Sequence, residues 1–502
     1  MTDARHQDVW MGVDLGTQSV RAVAVTGGGQ VLGSGSAPLT GRRDGDRHEQ
    51  LPADWWSGTA AAVRASLRTV PATRVRGLAV CSTSGTVLLT DAKGAPLSPA
   101  LMYDDSRAKD EARQAQEAGA GVWASLGHRI QPSWALAKLL WLTRHARDDG
   151  APALHGARVC HQADFITSRL VGRPVATDSS HALKTGYDLY NRAWPTAVHD
   201  LLGLSGLAFP DVVAPGTPLG TVSHEAAEAT GLAGSTPVFA GMTDGCAAQL
   251  GSGAWDIGQW NTVLGTTLVL KGVTEEPLHD PAGVLYSHRS PDGHWLPGGA
   301  SSVGAGVLTR AFPGADLGHL DRLAAHREPA GAVAYPLVSR GERFPFLAPD
   351  AEAFVLGTPA DDADHHAALL QGVALIERLC LAYVRLLGAE VDGPLTFTGG
   401  ATRSTYWNQL RADVLGRTAR IPRQADSALG MAVLAAHGGA AGEGSVRAPL
   451  SDLRPMVRFR TVVEPRPQVS RRFAEPFVTL VDALEERGWL PQETAAYARE
   501  HG

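Results

Sequence analysis

The sequence predicts an α/β protein built from two similar domains, and three observations support this prediction. Leu15-Gly16-Thr17 recurs as Leu264-Gly265-Thr266, 249 residues later in a chain of 502 residues. Each copy ends a short apolar strand, and the same order of predicted elements follows in both halves. A chain of this length with 44% hydrophobic residues can also bury two cores of ordinary size.

The first half begins with a three-stranded meander, followed by a helix, two strands and a second helix, predicted at residues 10–14, 20–25, 31–36, 53–67, 76–81, 86–89 and 134–144. The second half has four strands, a short helix, a long helix and a buried strand, predicted at residues 259–264, 267–270, 284–288, 295–297, 303–311, 369–387 and 395–398. We place the boundary within 251–258, whose glycines are either hinge or ordinary turn residues. Residues 1–253 then form the first domain and residues 254–502 the second.

The duplicated turn is suited to binding phosphate. Glycine lets the backbone approach a ligand closely, and backbone N–H groups with a threonine hydroxyl can bind phosphate oxygens. Thr17, Gly265, Thr266 and Thr267 are therefore candidate phosphate-binding residues. Two such turns on similar domains indicate a nucleotide site and phosphoryl transfer, a reaction that depends on positioning and charge neutralisation.

Two aspartates are the candidate catalytic groups. Asp14 ends the first strand beside the Gly-Thr turn, where it either holds Mg²⁺ through water or accepts hydrogen bonds from turn amides. Asp244 follows a predicted strand at 237–240 and opens an apolar segment, so we expect it at a helix N-terminus. There it is either a general base that accepts a hydroxyl proton or an N-cap.

The order and spacing of these motifs resemble those of the FGGY carbohydrate kinases, a branch of the actin-like ATPase superfamily. The resemblance covers nearly the whole chain and rests on Asp14-Leu15-Gly16-Thr17, Met242-Thr243-Asp244-Gly245, Leu264-Gly265-Thr266-Thr267 and Gly399-Gly400-Ala401. It implies an α/β fold of two ribonuclease H-like (actin-like ATPase) domains flanking a central cleft. It also implies transfer of the γ-phosphoryl group of ATP to a sugar hydroxyl, with Mg²⁺ as cofactor.

The resemblance implies a role for individual residues. Asp244 corresponds to the catalytic base of the family, and Asp14 to a second catalytic residue that binds the metal. The implied cofactor-binding residues are Thr17, Gly265, Thr266, Thr267, Gly304, Gly399, Gly400, Ala401 and Ser404. The implied substrate-binding residues are Asp14, Gln18, Thr83, Ser84 and Asp244. The first domain would bind the sugar and the second the nucleotide, and a helix opening with Asp426 would pack against the nucleotide site.

The turn after the strand at 76–81 favours D-ribulose as the substrate. Xylulokinases carry Met-His-Gly at this turn, whereas this chain has Thr83-Ser84-Gly85, whose hydroxyls can bind sugar hydroxyls. His161-Gln162-Ala163-Asp164 and Gly341-Glu342-Arg343-Phe344-Pro345 also resemble the D-ribulokinase subgroup. We expect D-ribulose to be converted to D-ribulose 5-phosphate. Xylulokinase or another polyol kinase is the alternative, and a non-catalytic actin-like nucleotide switch is a remote one.

Composition and charge argue against other classes of protein. The net charge is −6 and basic residues are dispersed, so neither nucleic acid nor a membrane is an expected partner. The N-terminal residues do not resemble a signal peptide, and we expect a cytoplasmic enzyme, possibly a homodimer. The widely spaced cysteines predict buried, reduced thiols: Cys81, Cys160, Cys246 and Cys380.

Several conspicuous residues are not assigned to the site. Asp361 and the acidic and histidine residues after it indicate a solvated helix start rather than a metal cluster. Trp55, Trp56, Trp134 and Trp141 are interpreted as packing residues rather than a sugar platform. Lys138 and Arg107 are either substrate ligands or members of surface ion pairs.

Overall fold

The computed structural model describes residues 8–148, 154–440 and 449–502, which form two compact units. The first unit comprises Met1–Gly251, His288–Gly293 and Gln424–Arg458, and the second comprises Ser252–Ser287, His294–Arg423 and Phe459–Gly502. The packing thus assigns a late segment of the sequence to the first unit, where we predicted a single division after residue 253. The predicted binding role of each domain stays a prediction.

The first unit is organised around a six-stranded sheet. The strands of the whole first unit are β1 (Val9–Leu15), β2 (Ser19–Thr26), β3 (Val31–Pro38), β4 (Arg42–Asp44), β5 (Arg47–Gln50), β6 (Val75–Ser82), β7 (Val87–Thr90), β8 (Ala100–Leu101), β9 (Arg158–His161), β10 (Thr177–Asp178), β11 (Val212–Val213), β12 (Pro218–Thr221) and β13 (Pro237–Phe239). The main sheet has the order β12-β13-β6-β1-β2-β3, and β4-β5-β8-β7-β9 form a second sheet. In the main sheet β1, β6 and β13 run parallel, so their carboxyl ends lie at one edge.

Nine helices surround these sheets within the described part of residues 8–252. They are α1 (Pro52–Ser66), α2 (Lys109–Ala118), α3 (Ala120–Leu126), α4 (Ala135–Asp148), α5 (Gln162–Val171), α6 (Ser179–Ala182), α7 (Thr196–Leu201), α8 (His224–Thr230) and α9 (Asp244–Ser252). Four apolar residues of β1 are fully buried because this strand is central in its sheet: Val9, Met11, Val13 and Leu15. Trp55 and Trp134 are buried packing residues, as predicted.

The second unit repeats the sheet connectivity of the first. Its strands are β14 (Trp260–Leu264), β15 (Leu268–Gly272), β16 (Tyr286–Arg289), β17 (Trp295–Ser301), β18 (Val333–Tyr335), β19 (Phe354–Leu356), β20 (Leu395–Thr398), β21 (Ala419–Pro422) and β22 (Phe459–Val463). Six of them have the order β17-β15-β14-β20-β21-β22, with β14, β20 and β21 parallel. The prediction of an α/β chain with two similar halves is confirmed.

The long helix of the second unit belongs to its core. This unit contains α10 (Gly306–Ala311), α11 (Leu317–Ala324), α12 (Asp362–Leu386) and α13 (Thr405–Leu415). Helix α12 is long and apolar enough to cross a membrane by length and composition, but 94% of its apolar window is buried. Asp361 is its N-cap and accepts a hydrogen bond from the Asp364 N–H, which confirms the predicted helix start. The start is not wholly solvated as predicted, because Asp364 and His366 are buried.

Helix α14 (Ser427–Gly439) returns the chain to the first unit and packs against β1. The contact requires glycine on both sides. A Cβ atom at Gly12 would lie 1.7 Å from the Ala428 carbonyl oxygen, and one at Gly430 would lie 1.9 Å from the Ala247 carbonyl oxygen. The two glycines therefore let α14 approach β1 and α9 backbone to backbone.

The remaining helices are α15 (Pro467–Ser470), α16 (Ala474–Glu486) and α17 (Gln492–His501). Short 3₁₀ helices occur at Leu67–Thr69, Ala72–Arg74, Leu183–Thr185, Gly400–Arg403, Leu450–Met456 and Arg471–Phe473.

Candidate active site

Three carboxylates of the first unit lie near one another at the carboxyl edge of its sheet. Asp14 is the last residue but one of β1, Asp244 is the first residue of α9, and Asp426 is the N-cap of α14. Burial raises the pKa of Asp14 from 3.8 to about 7, and the negative charges of Asp244 and Asp426 contribute in the same direction. The fold thus concentrates negative charge at the predicted metal-binding residue.

The Cys81 thiol is a hydrogen-bond donor to the Asp14 side chain. Its Sγ donates to the Asp14 Oδ1 at 3.5 Å. Burial, followed by the charge of Asp14, raises the pKa of Cys81 well above its usual value, so the thiol keeps its proton and stays a donor. All four cysteines are buried and free, as predicted, but the sequence did not predict this contact.

Asp244 is held by contacts on both sides of the α9 N-terminus. Its Oδ1 accepts a hydrogen bond from the Gly245 N–H at 2.7 Å, and its carbonyl oxygen accepts one from the Ser427 hydroxyl at 3.2 Å. The preceding Thr243 donates its N–H to the Ser180 Oγ at 2.8 Å. A carboxylate at a helix N-terminus is stabilised in its charged form, which a proton acceptor requires.

A bridge between strand ends brings the predicted sugar-binding turn beside Asp244. Ser82 and Thr243 form a parallel β-bridge, so the residues that follow them, Thr83 and Asp244, leave the same edge of the sheet. Neighbouring strands lie about 5 Å apart. The structure therefore brings together Thr83 and Asp244, which are 161 positions apart in the sequence.

A buried network below this edge connects the two strand ends. Asp178 accepts hydrogen bonds from the Ser180 hydroxyl and from the His181 Nδ1, and the His181 Nε2 lies 2.9 Å from the Ser82 Oγ. Burial alone would lower the pKa of His181, but the Asp178 carboxylate outweighs this effect and raises it. Ser180 in turn accepts from Thr243, so one carboxylate organises both sides of the bridge. This network could not be predicted from the sequence because Ser82 and Thr243 are far from residues 178–181 in the chain.

The hydroxyl of Thr83 is engaged within the protein. Its Oγ1 donates to the Gln162 Oε1 at 2.8 Å and lies 2.6 Å from the Thr86 hydroxyl. The Ser84 Oγ and the Gln162 Nε2 are buried and have no partner within the part of the chain that the structure describes. Of the two predicted sugar-binding hydroxyls, only that of Ser84 is therefore left unpaired.

Lys138 and Arg107 are buried, so neither of them is a surface ion-pair residue. The Lys138 Nζ donates to the Gly85 carbonyl oxygen at 3.1 Å and to that of Met102, and burial lowers the pKa of Lys138 to about 7. Lys138 therefore supports the turn at 83–85 from below. The Arg107 side chain, 4% exposed, pairs with Asp105 and Glu49.

The first Gly-Thr turn uses its glycine N–H internally. Gly16 donates to the Ser19 carbonyl oxygen at 3.1 Å, which leaves Thr17 and the exposed Gln18 as the residues able to meet a ligand. Tyr103 is a neighbour of Thr17, and burial raises the pKa of Tyr103, with Asp104 and Asp244 adding to the shift. Tyr103, 42% exposed, was missed as a candidate site residue.

The second Gly-Thr turn also uses its glycine N–H internally, but with an acceptor two residues away rather than three. Gly265 donates its N–H to the Thr267 carbonyl oxygen at 3.1 Å, Thr266 is exposed, and a Cβ atom at Gly265 would meet nothing within 4 Å. A Cβ atom at Gly304 would lie 2.4 Å from the Thr266 carbonyl oxygen, so Gly304 is needed for the close packing of this turn. Space beside Gly265 is thus available to a ligand.

The turn after β20 corresponds in topology to the turn after β6. Gly399 has a φ of +86°, and a Cβ atom there would lie 2.5 Å from the Leu264 carbonyl oxygen. Gly399 and Gly400 are exposed, whereas Ala401 is buried. The Ser404 Oγ donates to the Asp321 Oδ2 at 2.6 Å and caps α13 by accepting from the Trp407 N–H. Its hydroxyl is thus already used within the unit.

Comparison with known proteins agrees with this arrangement. Residues 9–251 match the N-terminal domain of the FGGY family of carbohydrate kinases, and residues 260–439 match the C-terminal domain of that family. A xylulose kinase of Streptomyces rubiginosus is 31% identical over 438 residues, which cover 85% of this chain and 87% of that protein. A gluconokinase of Bacillus subtilis is 26% identical over 95% of this chain and 96% of its own length.

A solved structure extends the agreement to three dimensions. The crystal structure of xylulose kinase from Rhodospirillum rubrum is 27% identical and covers 95% of this chain and 99% of its own, with a TM-score of 0.82. The chain therefore belongs to the FGGY family of carbohydrate kinases and is an ATP-dependent phosphotransferase.

Proposed function

We propose that this carbohydrate kinase phosphorylates D-ribulose at its 5-hydroxyl and releases D-ribulose 5-phosphate and ADP. The observation that carries the proposal is the juxtaposition of Asp244 and the Thr83-Ser84-Gly85 turn at one sheet edge. A carboxylate that can accept a proton lies beside a turn with an unpaired hydroxyl, Ser84. These are the groups needed to bind a polyhydroxylated acceptor and deprotonate its reacting alcohol.

In this proposal Asp244 is the general base. The 5-hydroxyl loses its proton to the Asp244 carboxylate as its oxygen attacks the γ-phosphorus, and the bond to the bridging oxygen of ADP breaks. The protein contributes mainly orientation and charge compensation, as is usual for phosphoryl transfer. Thr17, Gly265, Thr266 and Thr267 would contact the phosphates, with Gly304 supporting the turn. Gly399, Gly400, Ala401 and Ser404 would border the adenosine.

Asp14 fits the role of the Mg²⁺-binding residue. Mg²⁺ prefers oxygen ligands and retains several waters, so one or two carboxylates suffice to hold it. Burial is the main cause of the raised pKa of Asp14, and the negative charges of Asp244 and Asp426 add to it; a bound divalent cation would favour the charged carboxylate. When bound, Mg²⁺ would neutralise charge on the phosphates.

D-Xylulose is the second candidate substrate, because several relatives are named xylulose kinase. A spectrophotometric assay of ADP release with MgATP and a panel of ketopentoses, aldopentoses and polyols separates the candidates. We expect the highest kcat/KM with D-ribulose and a product phosphorylated on C5. A higher kcat/KM with D-xylulose would refute the proposed substrate. The cytoplasmic location and the possible homodimer stay predictions.

A further inference from the structure

Gln162 is a fully buried side chain with one half of its amide unused. It is the first residue of α5, and its Oε1 accepts hydrogen bonds from the Thr83 N–H at 3.3 Å and from the Thr83 hydroxyl at 2.8 Å. A backbone N–H can only donate, so the amide oxygen must face Thr83. The Nε2 group, which can only donate, is therefore directed away from Thr83.

A second buried polar group without a partner lies on the turn that Gln162 contacts. The Gln162 Nε2 and the Ser84 Oγ are both buried without a hydrogen-bond partner in the described residues. Burying such groups without partners costs free energy, and native proteins usually satisfy them with water or a ligand. Ser84 belongs to the turn that leaves the sheet beside Asp244, and Gln162 is hydrogen-bonded to Thr83 of that same turn.

The chemistry of the substrate indicates which atom would meet these donors. A 2-ketopentose closes its five-membered ring through the 5-hydroxyl, so a molecule that reacts at this hydroxyl is in the open-chain form. Its C2 carbonyl is then free, and a carbonyl oxygen accepts hydrogen bonds but cannot donate them. The Gln162 Nε2 donates only, and the Ser84 hydroxyl is able to donate.

We infer that Gln162, together with Ser84, binds the C2 carbonyl oxygen of the open-chain ketose and so selects ketoses over the corresponding polyols. The inference rests on the proposed function and adds a specificity-determining residue to it. Thr83 fixes the orientation of the Gln162 amide by donating to the amide oxygen, and the Thr83 hydroxyl is itself hydrogen-bonded to the Thr86 hydroxyl. The selection therefore depends on a donor whose orientation is set before the sugar arrives.

The test compares D-ribulose with ribitol, in which C2 carries a hydroxyl instead of the carbonyl. Gln162→Glu preserves the size of the side chain and the acceptor for Thr83, but replaces the donor by an acceptor that repels a carbonyl oxygen. We expect kcat/KM for D-ribulose to fall about 10- to 100-fold, with a parallel weakening of D-ribulose binding measured by calorimetry without ATP. The loss on ribitol should be several-fold smaller, because its hydroxyl can donate to the new carboxylate.

Gln116→Glu is the matched control. The Gln116 Oε1 also accepts a backbone N–H, that of Ile130 at 2.8 Å, and this change should leave both substrates unaffected. Ser84→Ala removes a hydroxyl that makes no hydrogen bond within the described residues, and should also reduce the preference for the ketose without loss of thermal stability. Equal losses on ketose and polyol, or no loss, in an active and folded Gln162→Glu enzyme would overturn the role of Gln162. Absence of ketose-dependent ADP release by the wild type would instead refute the proposed function.

Discussion

Replacement of Asp14 by asparagine should stabilise the metal-free protein, and more so at pH 8 than at pH 5. Burial and the charges of Asp244 and Asp426 raise the pKa of Asp14 from 3.8 to about 7. Between these values the folded state binds more protons than the unfolded chain, so stability decreases as the pH rises from about 4 to about 7. Asparagine is uncharged and does not have this dependence.

The size of the effect follows from the two pKa values of Asp14. A shift of one pKa unit corresponds to about 1.4 kcal/mol. Asp14 costs stability as the pH rises towards its folded pKa of about 7, so between pH 5 and pH 8 the effective range is from pH 5 to about pH 7, or about two units. Ionisation of Asp14 over this range therefore costs the folded wild type about 3 kcal/mol. The gain in the free energy of unfolding on Asp14→Asn should be larger at pH 8 by this amount.

Urea unfolding of both proteins in EDTA, at pH 5 and pH 8, measures this difference. Groups that do not interact with Asp14 titrate equally in the two proteins, so the difference between them reports Asp14 together with the groups coupled to its charge. Asp54→Asn, an exposed change in the first turn of α1, should give the same small difference at both pH values. An equal gain at both pH values, or a loss at pH 8, would refute the reasoning. Added Mg²⁺ should stabilise the wild type at pH 8 and leave Asp14→Asn unaffected.

Three further changes test the base, the packing of α14 and the core of the second unit. Asp244→Asn should lower kcat about 10²- to 10⁴-fold with unchanged ATP affinity by calorimetry, and retention of full activity would exclude it as the base. Gly12→Ala should abolish cooperative thermal unfolding of the first unit, because the added Cβ would lie 1.7 Å from a backbone oxygen of α14. Gly121→Ala is the control: its added Cβ meets nothing within 4 Å, so the free energy of unfolding should change by no more than about 1 kcal/mol. Equal stability of the two variants would contradict the packing argument. Glu377→Ala leaves the buried Arg411 unpaired and should cost about 3–5 kcal/mol in denaturant unfolding, and a loss below about 1 kcal/mol would be inconsistent with a buried pair.

The sequence predicted features that depend on local pattern. The meander, the Gly-Thr turns and the position of Asp244 at a helix start follow from strand periodicity and turn residues. The start of the long helix at Asp362 was also predicted, because the acidic run that begins with Asp361 precedes the apolar pattern and is typical of a first helical turn.

Features that depend on packing between distant segments could not be predicted. Asp426 was assigned to a helix that borders the nucleotide, but its effect on Asp14 arises only once α14 packs against β1. The half-satisfied amide of Gln162 depends on its contact with Thr83 in another strand segment. Lys138 was expected either at the surface or at the substrate, because burial of a lysine with carbonyl partners has no signature in a single sequence.

The return of α14 to β1 also constrains the order in which the protein can fold during synthesis. The first half of the polypeptide emerges from the ribosome with the glycine-lined surface of β1 uncovered, and residues 427–439 follow only after most of the second half has been made. A contact of such sequence separation forms late and makes a folding unit slow to complete. A protein shortened to its first 253 residues should therefore expose apolar surface and aggregate, whereas a co-expressed peptide carrying residues 424–458 should restore its solubility.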